Sequence, residues 1–401
     1  MNQPRLFVVV FLAAVFQFNL SIAQPTSDTL ISFATPTEEL SHDITVDTVN
    51  QWVYTVGTFR SSALFPGISG ADMNGGMGNG DWDGFLLKTD FDGNVLWAVN
   101  MGDEWEDATT GVTLAPDGNI YVTGFFTDRI RFTSVASPYS TLNSSNGNNQ
   151  EIFIAAYNPA GDLQFSAQAG GTGDDVGMGI TANSSGVYIT GNYQNSAVFG
   201  TLNTEPTYNN RVNCFIAKYR FGGPIQWVVE MKSDGVDGTN TGIDEFANDI
   251  TSDEDGVYAI GFMDGDTMRF TDASATLLSN PVLVDSTGGP HIFICSYDTS
   301  GNNRWAVKIE DNSANKRGYG IDADCDGVYI CGTIHDDAIF PSGATTSTLI
   351  HDSPFLAKLD PATGIDQWHE VIRTTTSTNH EDISHDIKVD GLGNVYISGV
   401  Y

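Results

Sequence analysis

The residues best suited to chemistry in this sequence are carboxylates. Asp322-Ala-Asp324-Cys-Asp326-Gly327 has the alternating spacing that opens a calcium loop, where acids at every second position converge on one hard cation. The twelfth position is Thr333, where such loops carry Glu. Asp322, Asp324 and Asp326 are therefore the candidate metal ligands, calcium is the ion they would take, and no other cofactor is expected. A second set recurs along the chain. Glu39, Asp107, Asp175, Glu245 and Asp382 each stand five residues before the first Ile or Val of a hairpin, and Lys316 breaks the series. Two readings are open: an acidic rim that binds cations or a basic partner, or carboxylates that accept backbone N–H groups in the turns between repeats.

Catalytic constellations are missing from the pattern. The seven histidines show no metal-ligand spacing, and His380 and His385 lie five apart across a loop and a strand start. There is no nucleophile elbow, phosphate-binding glycine loop or zinc cysteine motif, so no catalytic residue is assigned. Asp360-Pro-Ala-Thr-Gly-Ile-Asp-Gln-Trp368 resembles the tryptophan-docking turn of quinoprotein dehydrogenases, but it occurs once and no quinone site accompanies it. Two variable loops, Gly67 to Gly84 with Trp82 and Ser137 to Gln150, are polar and rich in small residues. They suit a carbohydrate or peptide contact, or simple tolerance of insertion at a surface.

These residues are positioned by a repeat. A Tyr followed three residues later by Gly occurs at Tyr54/Gly57, Tyr121/Gly124, Tyr188/Gly191, Tyr258/Gly261, Tyr329/Gly332 and Tyr396/Gly399, with glycines 67, 67, 70, 71 and 67 residues apart. A second landmark, Phe followed by another aromatic, occurs at Phe85/Trp97, Phe153/Phe165, Phe215/Trp227, Phe293/Trp305 and Phe355/Trp368. Each landmark marks a hairpin: Asp92-Gly93-Asn94, Asn158-Pro-Ala-Gly161 and Asp298-Thr-Ser-Gly301 are turns between apolar runs. Period-two alternation, as at Ile44/Val46 and Ile387/Val389, buries one face of each strand.

Four strands per period and no helical periodicity predict an all-β fold, a β-propeller of four-stranded antiparallel blades. A blade cannot bury both faces of its sheet alone, so neighbours must stack on it. The aromatic landmarks are then core. Grouping Phe-, Trp-, Ile- and Tyr-strands as one sheet predicts five complete blades from about Asp83 to Tyr401, with the His42 to Phe59 hairpin left over at the N-terminus. Ser41-His-Asp-Ile-Thr-Val-Asp47 and Ser384-His-Asp-Ile-Lys-Val-Asp390 nearly coincide. The sequence therefore reads as a fragment of a protein with six or seven blades.

Residues 1–23 carry a short segment with Arg5, an apolar run and Ser21-Ile22-Ala23, the order of a secretory signal peptide. Residues 24–39 are a lead-in and 40–401 the repeat array. Export to the cell surface or medium, or to a periplasm, is expected. Fifty acids against 17 bases give a net charge of −33, which repels phosphate backbones and anionic lipid. Nucleic acid and membrane insertion are thereby excluded as expectations, and a monomer is expected. Four cysteines, Cys214, Cys295, Cys325 and Cys331, allow disulfides in an exported chain. Cys295 and Cys331 stand where other repeats have small apolar residues, which suits buried free thiols.

Phe355 to Trp368, Gly170 to Asp175 and Asn119 to Gly124 resemble the SBBP-type bacterial β-propeller repeat. The likeness covers residues 40–401. It implies an exported bacterial protein, often with a C-terminal sorting module, and it implies no shared catalytic residues. The expected function is a non-catalytic binding or scaffolding module for protein or glycan. The alternatives are a polysaccharide-active enzyme with its site at the channel mouth, and a spacer for a further module.

Overall fold

The computed structural model describes residues 6–8, 39–60, 62–64, 72–74, 81–136, 138–144, 147–206, 211–233, 244–264, 267–284, 290–310, 316–335, 338–346, 352–372 and 382–400. Their regular structure is entirely β, and the chain is a β-propeller. From the axis outward, blade 1 is Glu39–Asp47, Trp52–Arg60, Trp82–Asp90 and Val95–Met101. Blade 2 is Asp107–Leu114, Ile120–Thr127, Gln150–Tyr157 and Leu163–Gly171; blade 3 is Val176–Asn183, Gly186–Gln194, Val212–Tyr219 and Ile225–Ser233. Blade 4 is Glu245–Ser252, Gly256–Met263, His291–Asp298 and Asn303–Ile309; blade 5 is Arg317–Asp324, Gly327–Ile334, Ser353–Leu359 and Asp366–Val371. A sixth hairpin, Ile383–Val389 with Val395–Val400, follows. Leu6–Val8, within the segment read as a signal peptide, pairs in parallel with Val395–Ile397.

The five complete blades are present, but the hairpins group differently from the sequence expectation. Each Tyr-strand pairs with the Phe-strand that follows it, as in Gly57 opposite Phe85 and Gly261 opposite Phe293. The hairpin at Glu39–Arg60 therefore belongs to blade 1, and the leftover hairpin is the C-terminal one. Blades 1 to 3 also carry six strands, not four. Arg129–Phe132 with Ser140–Asn143 extends blade 1, Ala197–Phe199 with Leu202–Asn203 extends blade 2, and Thr267–Thr271 with Leu277–Val284 extends blade 3. Each extra hairpin leaves the Tyr-strand of one blade and reaches back to the outer edge of the preceding one. It also brings a Phe against the next blade's Phe-strand: Phe132 meets Phe153 edge-on at 5.4 Å and Phe199 meets Phe215 at 4.8 Å.

The recurring glycine has a steric cause. In every innermost strand a β-bulge interrupts the register, between Thr109 and Gly111 in blade 2 and between Ala247 and Asp249 in blade 4. The bulge folds a carbonyl onto the neighbouring strand, so a Cβ on Gly124 would lie 1.9 Å from the Ala108 oxygen and one on Gly261 1.9 Å from the Phe246 oxygen. Only Gly fits there.

The recurring Trp latches one blade to the next. Trp97 Nε1 donates to the Pro159 carbonyl at 3.1 Å, Trp227 to that of Thr299 at 3.3 Å and Trp305 to that of Pro361 at 3.0 Å. Each accepting turn then presents a glycine at positive φ to the same indole; a Cβ on Gly301 would sit 3.0 Å from the Trp227 ring. Blade 2 has Phe165 in place of Trp, and its facing turn is held instead by Gly222 N donating to Tyr121 Oη at 2.7 Å.

The blade faces bury Val112, Ile180, Ile250, Ile321 and Ile387 to 6% exposure or less. Ile44, their counterpart on blade 1, is 50% exposed.

Candidate functional site

Polar residues gather in three places: at the axis, in the links between blades, and in a cleft on one face. At the axis the bulge re-aims side chains from one innermost strand onto the next. His42 Nδ1 lies 3.0 Å from the Thr109 carbonyl, while Thr110 Oγ1 donates to Gly177 O at 2.7 Å and Asn248 Nδ2 to Gly318 O at 2.6 Å. One residue further on, Asp43 accepts from Val112 N at 2.8 Å and Asp249 from Ile321 N at 2.9 Å. Two residues beyond that register, Lys388 of the sixth hairpin stands 3.6 Å from Asp386. Desolvation among the crowded axial strands opposes its charge although the side chain is half exposed, yet Asp386, Asp249, Asp322 and Asp43 together push its pKa up. Burial in turn drives the Asp43 carboxyl up to about 6 and that of Asp249 up to about 7, with Lys388 pulling both down. Carboxylates from blades 1, 4 and 5 and the sixth hairpin thus share one lysine.

This arrangement absorbs the first candidate metal ligand. Asp322 accepts from Val389 N at 2.8 Å and Thr251 Oγ1 at 3.2 Å. Asp324 closes its own hairpin turn, accepting from Asp326 N at 2.8 Å and Gly327 N at 3.0 Å. The three acids of the calcium-like spacing do not converge, because the first lies in a strand and the others belong to a tight turn. Among the described residues no group of three His, Cys, Asp or Glu side chains is placed to hold a metal ion.

The recurring acids in the links are interior. Asp107, Asp175 and Glu245 are fully buried, Asp382 nearly so and Glu39 partly. Asp107 accepts from Asp103 N at 2.9 Å and Thr127 N at 3.1 Å; Asp175 accepts from Gly171 N at 2.7 Å and Gln194 N at 3.1 Å. In those two links the carboxylates tie turns together and present no charged rim to solvent. Lys316, which replaces the acid in blade 5, is buried as well. Burial raises the carboxyls of Asp175 and Glu245 to about 8 and that of Asp107 well above its ordinary value. The acids that do reach the surface stand one residue earlier, where the chain points the opposite way: Glu106 and Asp174 are exposed and Asp244 half-buried.

Two of those outward acids line a cleft of about 410 Å³ together with Asp81, Trp105, Thr127, Asn148 and Gln150. Asp81 comes from the end of one variable loop singled out in the sequence, and Asn148 and Gln150 from the end of the other. The exposed aromatic is Trp105, at 45% exposure, not Trp82. The Trp82 ring is covered by the Arg60 guanidinium, 5.0 Å from its centre. Trp105 escaped the sequence reading because it sits in the short link between blades 1 and 2. The available signal was its mismatch: the corresponding residue before Asp175 in the next link is Gly173.

The histidines form no catalytic relay among the described residues. His369 Nδ1 lies 3.1 Å from Asp366, and Ser342 Oγ bonds the same carboxylate at 2.9 Å, so the hydroxyl faces the acid and not the imidazole. His335 pairs with Asp352 at 2.8 Å. His380 falls outside the described residues. The turn that resembles a quinoprotein docking turn is capped by Asp360, which accepts from Ala362 N and Thr363 N, and it serves as the latch for Trp305. All four cysteines are free thiols; Cys214, Cys295 and Cys331 are buried and Cys325 is exposed.

No family model matches the sequence. The uncharacterized WD repeat-containing protein L264 of Acanthamoeba polyphaga mimivirus is 26% identical over 257 residues, 56% of this chain and 18% of that protein. Regulatory protein FlaEY of Caulobacter vibrioides is 29% identical over 136 residues, 34% of this chain and 14% of its own length. The chain thus spans under a fifth of either relative. Among solved structures, apo AztD from Citrobacter koseri matches over 92% of this chain and 97% of its own at 10% identity, with a TM-score of 0.30.

Proposed function

We propose that this propeller is an exported, non-catalytic binding or scaffolding module that engages a partner protein through one face of the disc. The observation that carries the reading is the division of labour among its polar residues. Those at the axis, and Asp107 and Asp175 in the links, are occupied in holding strands and turns together, whereas the cleft at Trp105 gathers polar groups and an indole at the surface. The likeness to a WD repeat-containing protein supports a protein-interaction role, although it spans only part of either chain. Export rests on the sequence of residues 1–23 and the acidic balance. A glycan ligand at the same cleft is the second reading, favoured by the exposed indole beside Asn148 and Gln150.

The test is a pair of measurements on the purified protein. It should give no turnover of polysaccharide, polyuronate or alcohol substrates, the last in the presence of added quinone cofactor. Immobilised, it should retain a discrete partner from the medium or envelope of the source cells, and a Trp105→Ala variant should not. Turnover above background in any substrate class would sink the proposal, as would equal retention by the variant.

A further inference from the structure

We propose that the Trp105 cleft receives a single arginine or lysine side chain from a partner protein, a reading that rests on the binding-module function above and names its ligand. The argument begins with what the cleft does not need for folding. Trp105 lies in the link between blades 1 and 2, where the repeat itself asks only for the buried Asp107 that ties the link to Asp103 N and Thr127 N. The next link has Gly173 at the Trp105 position and packs without an indole. A large aromatic, 45% exposed in a cavity and absent from the neighbouring repeat, has no hydrogen bond or ring contact among the described residues that joins blades.

Its surroundings set the ligand's sign. Asp81, Glu106 and Asp174 line the same cleft as the indole. Among the described residues none of the three forms an ion pair, and Asp174 is engaged only by Gln150 N at 3.2 Å. Arg129, two residues after the cleft residue Thr127, is committed elsewhere, to Asp103 and, at 3.9 Å, to Glu104. Three carboxylates that line one cleft without an ion pair among the described residues favour a cation there, and the exposed indole adds its own affinity for a guanidinium or ammonium. A neutral sugar could stack on Trp105 and bond to the carboxylates, yet it would leave all three charges uncompensated. The net charge of −33 draws basic surfaces toward the disc as a whole. The cleft, at about 410 Å³, is near the small end of the usual ligand-pocket range of roughly 300–1,000 Å³, which fits one side chain better than an extended chain.

The experiment uses the whole chain and two probes, a capped Gly-Arg-Gly-Arg-Gly peptide and its citrulline counterpart, which keeps the shape and loses the charge. Binding is read by calorimetry and by the indole N–H resonance of Trp105, assigned with Trp105→Phe. The arginine peptide should shift that resonance, and the citrulline peptide should bind at least about tenfold more weakly. Trp105→Ala should weaken binding several-fold, and the double variant Glu106→Gln/Asp174→Asn about tenfold, with unchanged urea midpoints showing that the fold is intact. Salt at roughly 0.5 M should weaken the wild-type interaction several-fold. Equal binding of the citrulline peptide, or displacement by a neutral oligosaccharide in preference to the arginine peptide, would overturn the cationic ligand while leaving the binding-module function standing. Undiminished binding by Trp105→Ala would remove the site from this cleft. Failure of the module reading shows separately, as turnover in the assays above.

Discussion

The buried carboxylates of the blade links should make the stability of this fold fall as pH rises from about 5 to 8. Asp175 is the clearest instance. It is fully buried, and burial raises its carboxyl from the ordinary 3.8 to about 8. A folded-state pKa above the unfolded one means that the native protein holds the proton more tightly. The contribution is complete below pH 4 and is lost as pH climbs through the folded value. A pKa raised by one corresponds to about 1.4 kcal/mol. The whole rise therefore sets an upper bound of about 6 kcal/mol for Asp175 alone, and relaxation and water entry reduce it to about 1–3 kcal/mol. Glu245, raised to about 8, and Asp249, raised to about 7, act in the same direction. Surface turn acids such as Asp90 and Asp360, held below their ordinary values mainly by side-chain hydrogen bonds from Asn94 and Thr363, act in the opposite direction but only below about pH 4. Maximum stability is thus expected near pH 5. The assay is urea unfolding followed by tryptophan fluorescence at pH 5, 6, 7 and 8, on the wild type and Asp175→Asn. The variant loses one of two backbone N–H acceptors, at Gly171 or Gln194, and should be less stable than wild type at pH 5 by about 1–3 kcal/mol. That difference should shrink by pH 8, because the amide does not ionise. A midpoint that rises between pH 5 and 8, or an equal slope in the variant, would refute the reasoning.

Two further perturbations bear on how the blades are built and joined. Gly261→Ala should cost about 3 kcal/mol, since its Cβ would meet the Phe246 oxygen at 1.9 Å and Phe293 Cε1 at 2.8 Å. Gly118→Ala, at φ +83° with open space around it, should cost only about 1 kcal/mol; equal urea midpoints for the two would disprove the bulge argument. Lys388→Met should destabilise by about 1–2 kcal/mol at pH 8 and by less at pH 5, where the surrounding acids take up protons. The cost stays below that of a fully buried pair because the side chain of Lys388 is half exposed. A pH-independent loss would mean that packing, not charge, is what Lys388 supplies.

The repeat, its hairpins and its aromatic core were legible because each is a local pattern. The Tyr-x-x-Gly spacing records a bulge contact between adjacent strands, and the Pro-x-Gly turn records a Trp beneath it. The assignment of hairpins to sheets was not legible. A hairpin fixes its own two strands, but its neighbour on the sheet is reached across a long variable connection, and both groupings satisfy the same alternation. The outer hairpins were missed for a related reason: Arg129–Phe132 is only four residues long and lies in the connection between a Tyr-strand and the next Phe-strand, to which the sequence reading assigned no strand. A signal was present nonetheless, since Phe132, Phe199, Phe270 and Phe340 recur 67, 71 and 70 residues apart. Of the two readings open for the acidic series, Asp107 and Asp175 follow the one in which the carboxylate accepts backbone N–H groups, and the acids that reach solvent lie one residue earlier. Period-two geometry turns Asp107 and Asp175 inward and their predecessors Glu106 and Asp174 outward, and spacing counted from the hairpin cannot tell the two apart.

That one-residue offset bears directly on function. In the links that open blades 2 and 3 one buried carboxylate accepts two backbone N–H groups, and the residue before it faces solvent. In those two links it is the inward acid that is engaged in holding the fold. The outward position is free to vary, as is the residue before it, and in the first link those two positions hold Glu106 and Trp105. Chemistry in such a repeat is therefore best sought at positions adjacent to the structural acids where one repeat departs from the others. By that criterion the link between blades 1 and 2 stands apart from the link between blades 2 and 3, where Asp174 follows a glycine. The variable loops before the Phe-strands of blades 1 and 2 supply Asp81, Asn148 and Gln150 to the same place, so the departure is shared by three segments of the chain.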